Sequence, residues 1–120
     1  MAITGIGGVF FRAKDPDALS DWYKKNLGVF GMDANYQPWI QQAGPTVFMP
    51  FPADTEYFGS KTQNYMINFR VDNLDGLLKD LKGNNVKIVK DVENQAGVGR
   101  FASIEDPEGN RIELWEPAED

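Results

Sequence analysis

The chain repeats itself. "VFFRAKDPDALSDWYKKNLG" in the first half is answered by "INFRVDNLDGLLKDLKGN" in the second. Phe11-Arg12, Asp17 and Leu19 correspond to Phe69-Arg70, Asp75 and Leu77, each pair 58 positions apart. Self-similarity at a fixed period means two copies of one supersecondary unit that share a core, because one copy alone cannot bury its apolar face. The spacing predicts one domain over 1–120 with two modules, 1–51 and 65–120. Residues 52–64, "PADTEYFGSKTQN", are polar and aperiodic and read as the link between them.

Each module has the same local grammar. "ITGIGGVFFRA" reads as a strand ending at Ala13, and "YMINFRV" as its counterpart. A helix follows each strand. Asp15 is placed to cap the first, with Pro16 in its first turn, Leu19, Trp22, Tyr23 and Leu27 as its apolar stripe and Gly28 as its stop. Leu74, Leu77, Leu78 and Leu81 form the stripe of the second, with Gly83 as its stop. Strand-like segments come next: within 29–51, ending in "PTVFMPF", and then "VKIVKD", "GRFASIED" and "NRIELWE", the last two joined by the turn "DPEGN". Each half therefore reads strand–helix–strand–strand–strand, an α+β class with helices outside a cupped sheet.

Alternation along the strands sorts the side chains into two faces. Val9, Phe11 and Ala13, then Ile67, Phe69 and Val71, then Ile112 and Leu114 are apolar sets that face the helices. Gly8, Phe10 and Arg12, then Met66, Asn68 and Arg70, then Arg111, Glu113 and Trp115 lie opposite. In an antiparallel sheet such a mixed face is often simply wet. Phe10, Met66 and Trp115 speak against that here and for a hollow lined by rings and a few polar groups, as small-molecule sites are.

Composition removes whole classes of chemistry. There is no histidine and no cysteine, which excludes a Ser-His-Asp triad, thiolate metal sites and disulfides. A metal would need oxygen ligands. The net charge of −6 disfavours nucleic acid and anionic membranes. No apolar run is long enough to span a bilayer and no basic leader precedes one, so a cytoplasmic protein is expected.

On "VFFRAKDPDALSDWYKKNLGV", "INFRVDNLDGLLKDLKGNNVKIV" and above all "DPEGNRIELWEP", the chain resembles the vicinal oxygen chelate superfamily, which includes glyoxalase I, bleomycin-resistance proteins and extradiol dioxygenases. The resemblance covers essentially the whole chain. It implies paired βαβββ modules forming an open, incomplete barrel, often as a homodimer, with a divalent metal at the centre of the enzymes. Carried over by the flanking motifs, the four metal-ligand positions fall on Gly8, Phe48, Met66 and Glu113. Only Glu113 offers a hard donor, and one carboxylate does not hold a hard cation well.

Two function classes follow. The first is a metal-free binding protein of the bleomycin-resistance kind, without cofactor. Phe10, Trp39, Phe48 and Trp115 supply aromatic walls, with Met66, Asn68 and Arg111 beside them. Glu113 meets a cation or a hydrogen-bond donor. Arg12 and Arg70, in matching places, either grip an anionic group or sit at the rim paired with Glu113. Each tryptophan also reads as plain core packing, Trp22 most of all. The second class is a lyase, isomerase or dioxygenase in which Glu113 is catalytic, as a ligand to a weakly held divalent metal or as a general base. Tyr36, Tyr57 and Tyr65 are further acid–base candidates that their spacing does not separate. In both classes the partners are a small molecule and a second copy of the chain, not nucleic acid or membrane.

Overall fold

A computed structural model describes residues 2–119, so the first and last positions of the expected domain lie outside the described residues. In chain order the elements are α1 (Pro16–Leu27), β1 (Ile67–Arg70), α2 (Leu74–Gly83), β2 (Lys87–Gln95), β3 (Gly99–Glu105) and β4 (Arg111–Pro117). The last five make one βαβββ unit. Its four strands form an open mixed sheet in the order β1-β4-β3-β2, with β1 parallel to β4 and the other pairs antiparallel. No described helix is long and apolar enough to cross a membrane.

The helices begin and end for local reasons. Asp15 accepts from the Ala18 N–H at 3.1 Å, and Pro16 occupies the first turn, where no N–H is needed. Gly28 closes α1 at φ +69°, donating to Lys24 O at 3.2 Å. Asn73 caps α2 by accepting from Gly76 N–H at 3.0 Å. Gly83 is not the stop expected of it. It remains helical, and the left-handed residue is Asn85 at φ +60°, a residue whose short polar side chain tolerates that region.

Register makes the two faces explicit. Ile67, Ile112, Ile104 and Ile88 form one row across the sheet, and Phe69, Leu114 and Ala102 the next. These rows pack against Leu19 and Tyr23 of α1 and Leu74, Leu78 and Leu81 of α2. Leu74, Leu81, Ile104, Ile112 and Leu114 are the largest side chains fully withdrawn from water. Trp22 and Leu27 pack against this cluster from its margin.

The first half departs from the expected module. Apart from α1, its described residues contribute one isolated bridge, Met32 to Pro38, and no ladder. The segments 3–13 and 29–51, where strands are expected, form no strand and are mostly exposed. Gly5, Gly7 and Gly8 weaken the first, and Pro38, Pro45 and Pro50 remove donors from the others. A β-prone segment becomes a strand only beside a hydrogen-bonding neighbour, and among the described residues these find no ladder partner beyond the Met32–Pro38 bridge.

The first half is nevertheless tied to the sheet. Asp106, 5% exposed, accepts from the N–H groups of Glu108 and Asn110 and from the Asn110 amide, which folds the "DPEGN" turn. Tyr23 of α1 donates to the same carboxylate at 2.7 Å. Glu108 returns the link, accepting from Lys14 and Asp15 N–H at 2.7 and 3.0 Å. One turn thus anchors both the β3–β4 hairpin and the start of α1.

Leu114→Ala should test where the core sits. Truncating this fully buried side chain is expected to cost about 2–5 kcal/mol, measured by urea unfolding as a lower midpoint with an unchanged slope.

Candidate functional site

Opposite the leucine face, the register aligns Asn68, Glu113, Ser103 and Lys90 in one row across all four strands. The adjoining row holds Arg70, Trp115, Phe101 and Glu93. Glu113 stands on β4, between β1 and β3, and is only 8% exposed. A carboxylate buried there needs donors for both oxygens. Asn68 Nδ2 donates to Oε1 at 2.7 Å, and the Tyr57 hydroxyl donates to Oε2. Among the described residues no ion pair reaches it.

Tyr57 comes from the segment expected to be a mere link. That segment is docked on the sheet. Gln63 uses its side-chain amide as a strand would, accepting from Arg111 N–H at 2.8 Å and donating to Arg111 O at 3.0 Å. Arg111 in turn donates to Tyr57 O at 3.3 Å. Its guanidinium passes so close to Gly59 (φ +86°) that a Cβ there would lie 3.1 Å from Cζ. The Tyr57 ring lies against Phe51 with centroids 5.7 Å apart and planes at 20°. The Lys90 ammonium stands 5.0 Å from its centroid. Beside these groups a cavity of about 10 Å³ remains, room for one water at most.

The remaining features of the face are structural or spoken for. Trp115 and Phe101 lie parallel, centroids 6.1 Å apart, and the indole N–H donates to Val98 O at 3.0 Å. Arg70 is turned away from Glu113. Its guanidinium donates to Gln42 O at 2.7 Å and to Pro45 O, clamping the 42–46 loop. A larger groove, about 320 Å³, lies between α2 and β2 and is lined by Asp75, Leu78, Lys79, Lys82, Asp91 and Val92. Its charged side chains are solvent-exposed, and the Glu113 row does not reach it.

Burial raises the Tyr57 hydroxyl pKa well above its ordinary 10.0, and the hydrogen bond to Glu113 and that carboxylate's charge push the same way. Burial and Asp106 do the same to Tyr23. Both phenols therefore remain neutral donors across the physiological range.

The structure gathers five of the residues expected at the site on this face: Asn68, Arg70, Arg111, Glu113 and Trp115. Met66 precedes β1 by one position. Phe10, Arg12, Trp39 and Phe48 lie on first-half segments outside any strand; Phe10 is 95% and Phe48 89% exposed. Tyr57, Phe51, Lys90, Phe101 and Ser103 were not among the expected ligand contacts. Alternation along "GRFASIED" could have exposed Phe101 and Ser103, since Ala102 and Ile104 take the other face. No periodic signal marks Tyr57.

Comparison with known proteins agrees with this architecture. The Glyoxalase/Bleomycin resistance protein/Dioxygenase superfamily model matches residues 5–114. The chain belongs to that superfamily. Among solved structures it is similar to TnmS3, an antibiotic binding protein from Streptomyces sp. CB03234, with 22% identity, TM-score 0.64 and coverage of 98% of this chain and 99% of that one. It is similar to a superfamily member from Sphaerobacter thermophilus DSM 20745 at 21% identity, TM-score 0.64 and 97% and 99% coverage. It also matches the trypanothione-dependent glyoxalase I of Leishmania major at 23% identity, TM-score 0.54 and 88% and 81% coverage. No curated protein matches in sequence. At these identities the likenesses establish the fold.

The superfamily's enzymes imply a divalent metal, and the donor set can be tested against one. The implied ligand positions hold Gly8, Phe48, Met66 and Glu113. Both Glu113 oxygens already accept hydrogen bonds. No group of three or more His, Cys, Asp or Glu among the described residues is placed to share an ion. These residues do not fit a hard cation that wants several oxygens.

The raised tyrosine pKa values have a pH consequence. Above pH 10 the unfolded chain gives up these protons while the folded chain keeps them, so folding stability falls as pH rises further. Tyr57→Phe is expected to flatten that alkaline decline without altering the profile near pH 7, read from denaturation midpoints between pH 8 and 11.

Proposed function

We propose that the protein is a metal-free small-molecule-binding protein of the bleomycin-resistance kind, holding its ligand over the Asn68–Glu113–Ser103–Lys90 row. The observation that carries this reading is Glu113, a buried carboxylate on a ring-bearing sheet face whose partners among the described residues are neutral donors. Trp115, Phe101 and Phe51 provide apolar area beside it, and Glu113 provides orientation. The similarity to an antibiotic binding protein favours the same class. Native mass spectrometry of freshly purified protein should reveal a co-purifying organic molecule. Glu113→Gln should weaken its binding by roughly tenfold, the value of a charge-assisted hydrogen bond, and leave the fold intact. Metal analysis with thermal shifts against Mn, Mg, Ni and Zn decides against this reading if one ion raises the melting temperature specifically, since a native-state ligand stabilises by mass action. That result would favour a metal-dependent lyase, isomerase or dioxygenase using Glu113.

A homodimer belongs to the same proposal. Ile3, Phe10, Ile40 and Phe48 are each more than four-fifths exposed, on segments with β-propensity and no ladder. A second copy would supply both the missing strand neighbours and the apolar cover. Sedimentation at micromolar concentration should give twice the chain mass, and the double variant Phe10→Asp/Phe48→Asp should shift it to the monomer.

A further inference from the structure

Tyr57 reaches the sheet as a ligand would. No strand carries it. It enters on the 52–64 segment, puts its hydroxyl on Glu113 Oε2, rests one ring face near Phe51, and lies under the Lys90 ammonium. About 10 Å³ remains beside the ring, between Tyr57, Lys90, Phe101 and Ser103. The contacts that hold the segment on the sheet are Arg111 on the Tyr57 backbone carbonyl and Gln63 on the Arg111 backbone, and neither uses the Tyr57 ring. The ring can therefore leave while the segment stays attached. Glu113, 8% exposed and without a cation partner among the described residues, then requires another donor on Oε2, because an unsatisfied buried carboxylate is costly.

We propose that Tyr57 is an internal stand-in for the ligand, and that the site takes a planar aromatic ring bearing a neutral hydroxyl, which displaces Tyr57 from Glu113. This rests on the ligand-binding reading above and narrows it. A phenolate is rejected, since its charge would face the carboxylate. A ring bearing an ammonium satisfies Glu113 but brings a second cation beside Lys90. The neutral phenol keeps the hydrogen bond and leaves its ring face to the lysine.

The probe is 4-methylphenol, the tyrosine side chain itself, with toluene, 4-methylanisole and 4-methylbenzylamine as comparisons, titrated by NMR against wild type, Tyr57→Ala and Tyr57→Phe. Tyr57→Ala should bind 4-methylphenol roughly tenfold or more tightly than toluene, with 4-methylanisole no better than toluene and the amine behind the phenol. Tyr57→Phe should bind 4-methylphenol more tightly than wild type, because the displaced ring has lost its grip on Glu113. If Tyr57 were instead an ordinary ligand contact, that variant would bind more weakly. Weaker or equal binding in Tyr57→Phe overturns displacement, and preference for the amine overturns the ligand class; both leave the binding reading standing. Failure of every probe on every protein also overturns the stand-in, while the co-purification experiment judges the binding reading separately. Should Tyr57→Ala not fold, the comparison of Tyr57→Phe with wild type decides.

Discussion

Burying a carboxylate in the middle strand of a sheet costs several kcal/mol unless donors meet both of its oxygens. Glu113 imposes that requirement on everything near it. One donor comes from the neighbouring strand, where the parallel register of β1 on β4 sets Asn68 directly across. The other must come from outside the sheet, because Ser103 and Lys90 on the far side do not supply it. Tyr57 does, and the 52–64 segment is accordingly part of the site and not only a connection. Arg111 and Gln63 hold the segment there through backbone groups.

Asp106 solves the same problem for architecture. Its four donors are two turn N–H groups, the Asn110 amide and the Tyr23 hydroxyl. All are neutral and all are local except Tyr23, which reaches across from α1. The two buried acids of the second module thus each recruit one tyrosine from the chain preceding it. At Asp106 the bond fastens a helix to a hairpin within the core. At Glu113 it joins the 52–64 segment to the sheet face opposite the core.

The donor set on this face differs from the one the superfamily's metal enzymes imply. The sheet still presents one acid at the centre of the cup position, but glycine, phenylalanine and methionine stand where further ligands would be. What the acid gains in their place is a hydroxyl, an amide and adjacent rings. Such a set orients and desolvates a small molecule, whereas a hard ion needs several anionic or carbonyl oxygens at once. The fold decides neither outcome, and the donor set does.

Much of this was legible in the residues. Apolar spacing of 3.6 located both helices, and the Asp15 cap located the start of the first, because those signals act within a few residues. Alternation around Ile112, Glu113 and Leu114 put the acid opposite the core, since a strand leaves no third direction. Gly83 misled by two positions because Asn85 met the left-handed requirement instead. The strands of the first half misled more deeply, since β-propensity names a segment fit for pairing and says nothing of whether a neighbour is present. Tyr57 could not be told apart from Tyr36 and Tyr65 for the related reason that its partner lies 56 positions away, across an aperiodic stretch. The sequence alone determined which residues form the apolar stripe of each helix and which face which side of β1 and β4. Only the tertiary structure decided what meets them there, because contacts between distant segments depend on how separate elements dock, and no local period encodes that.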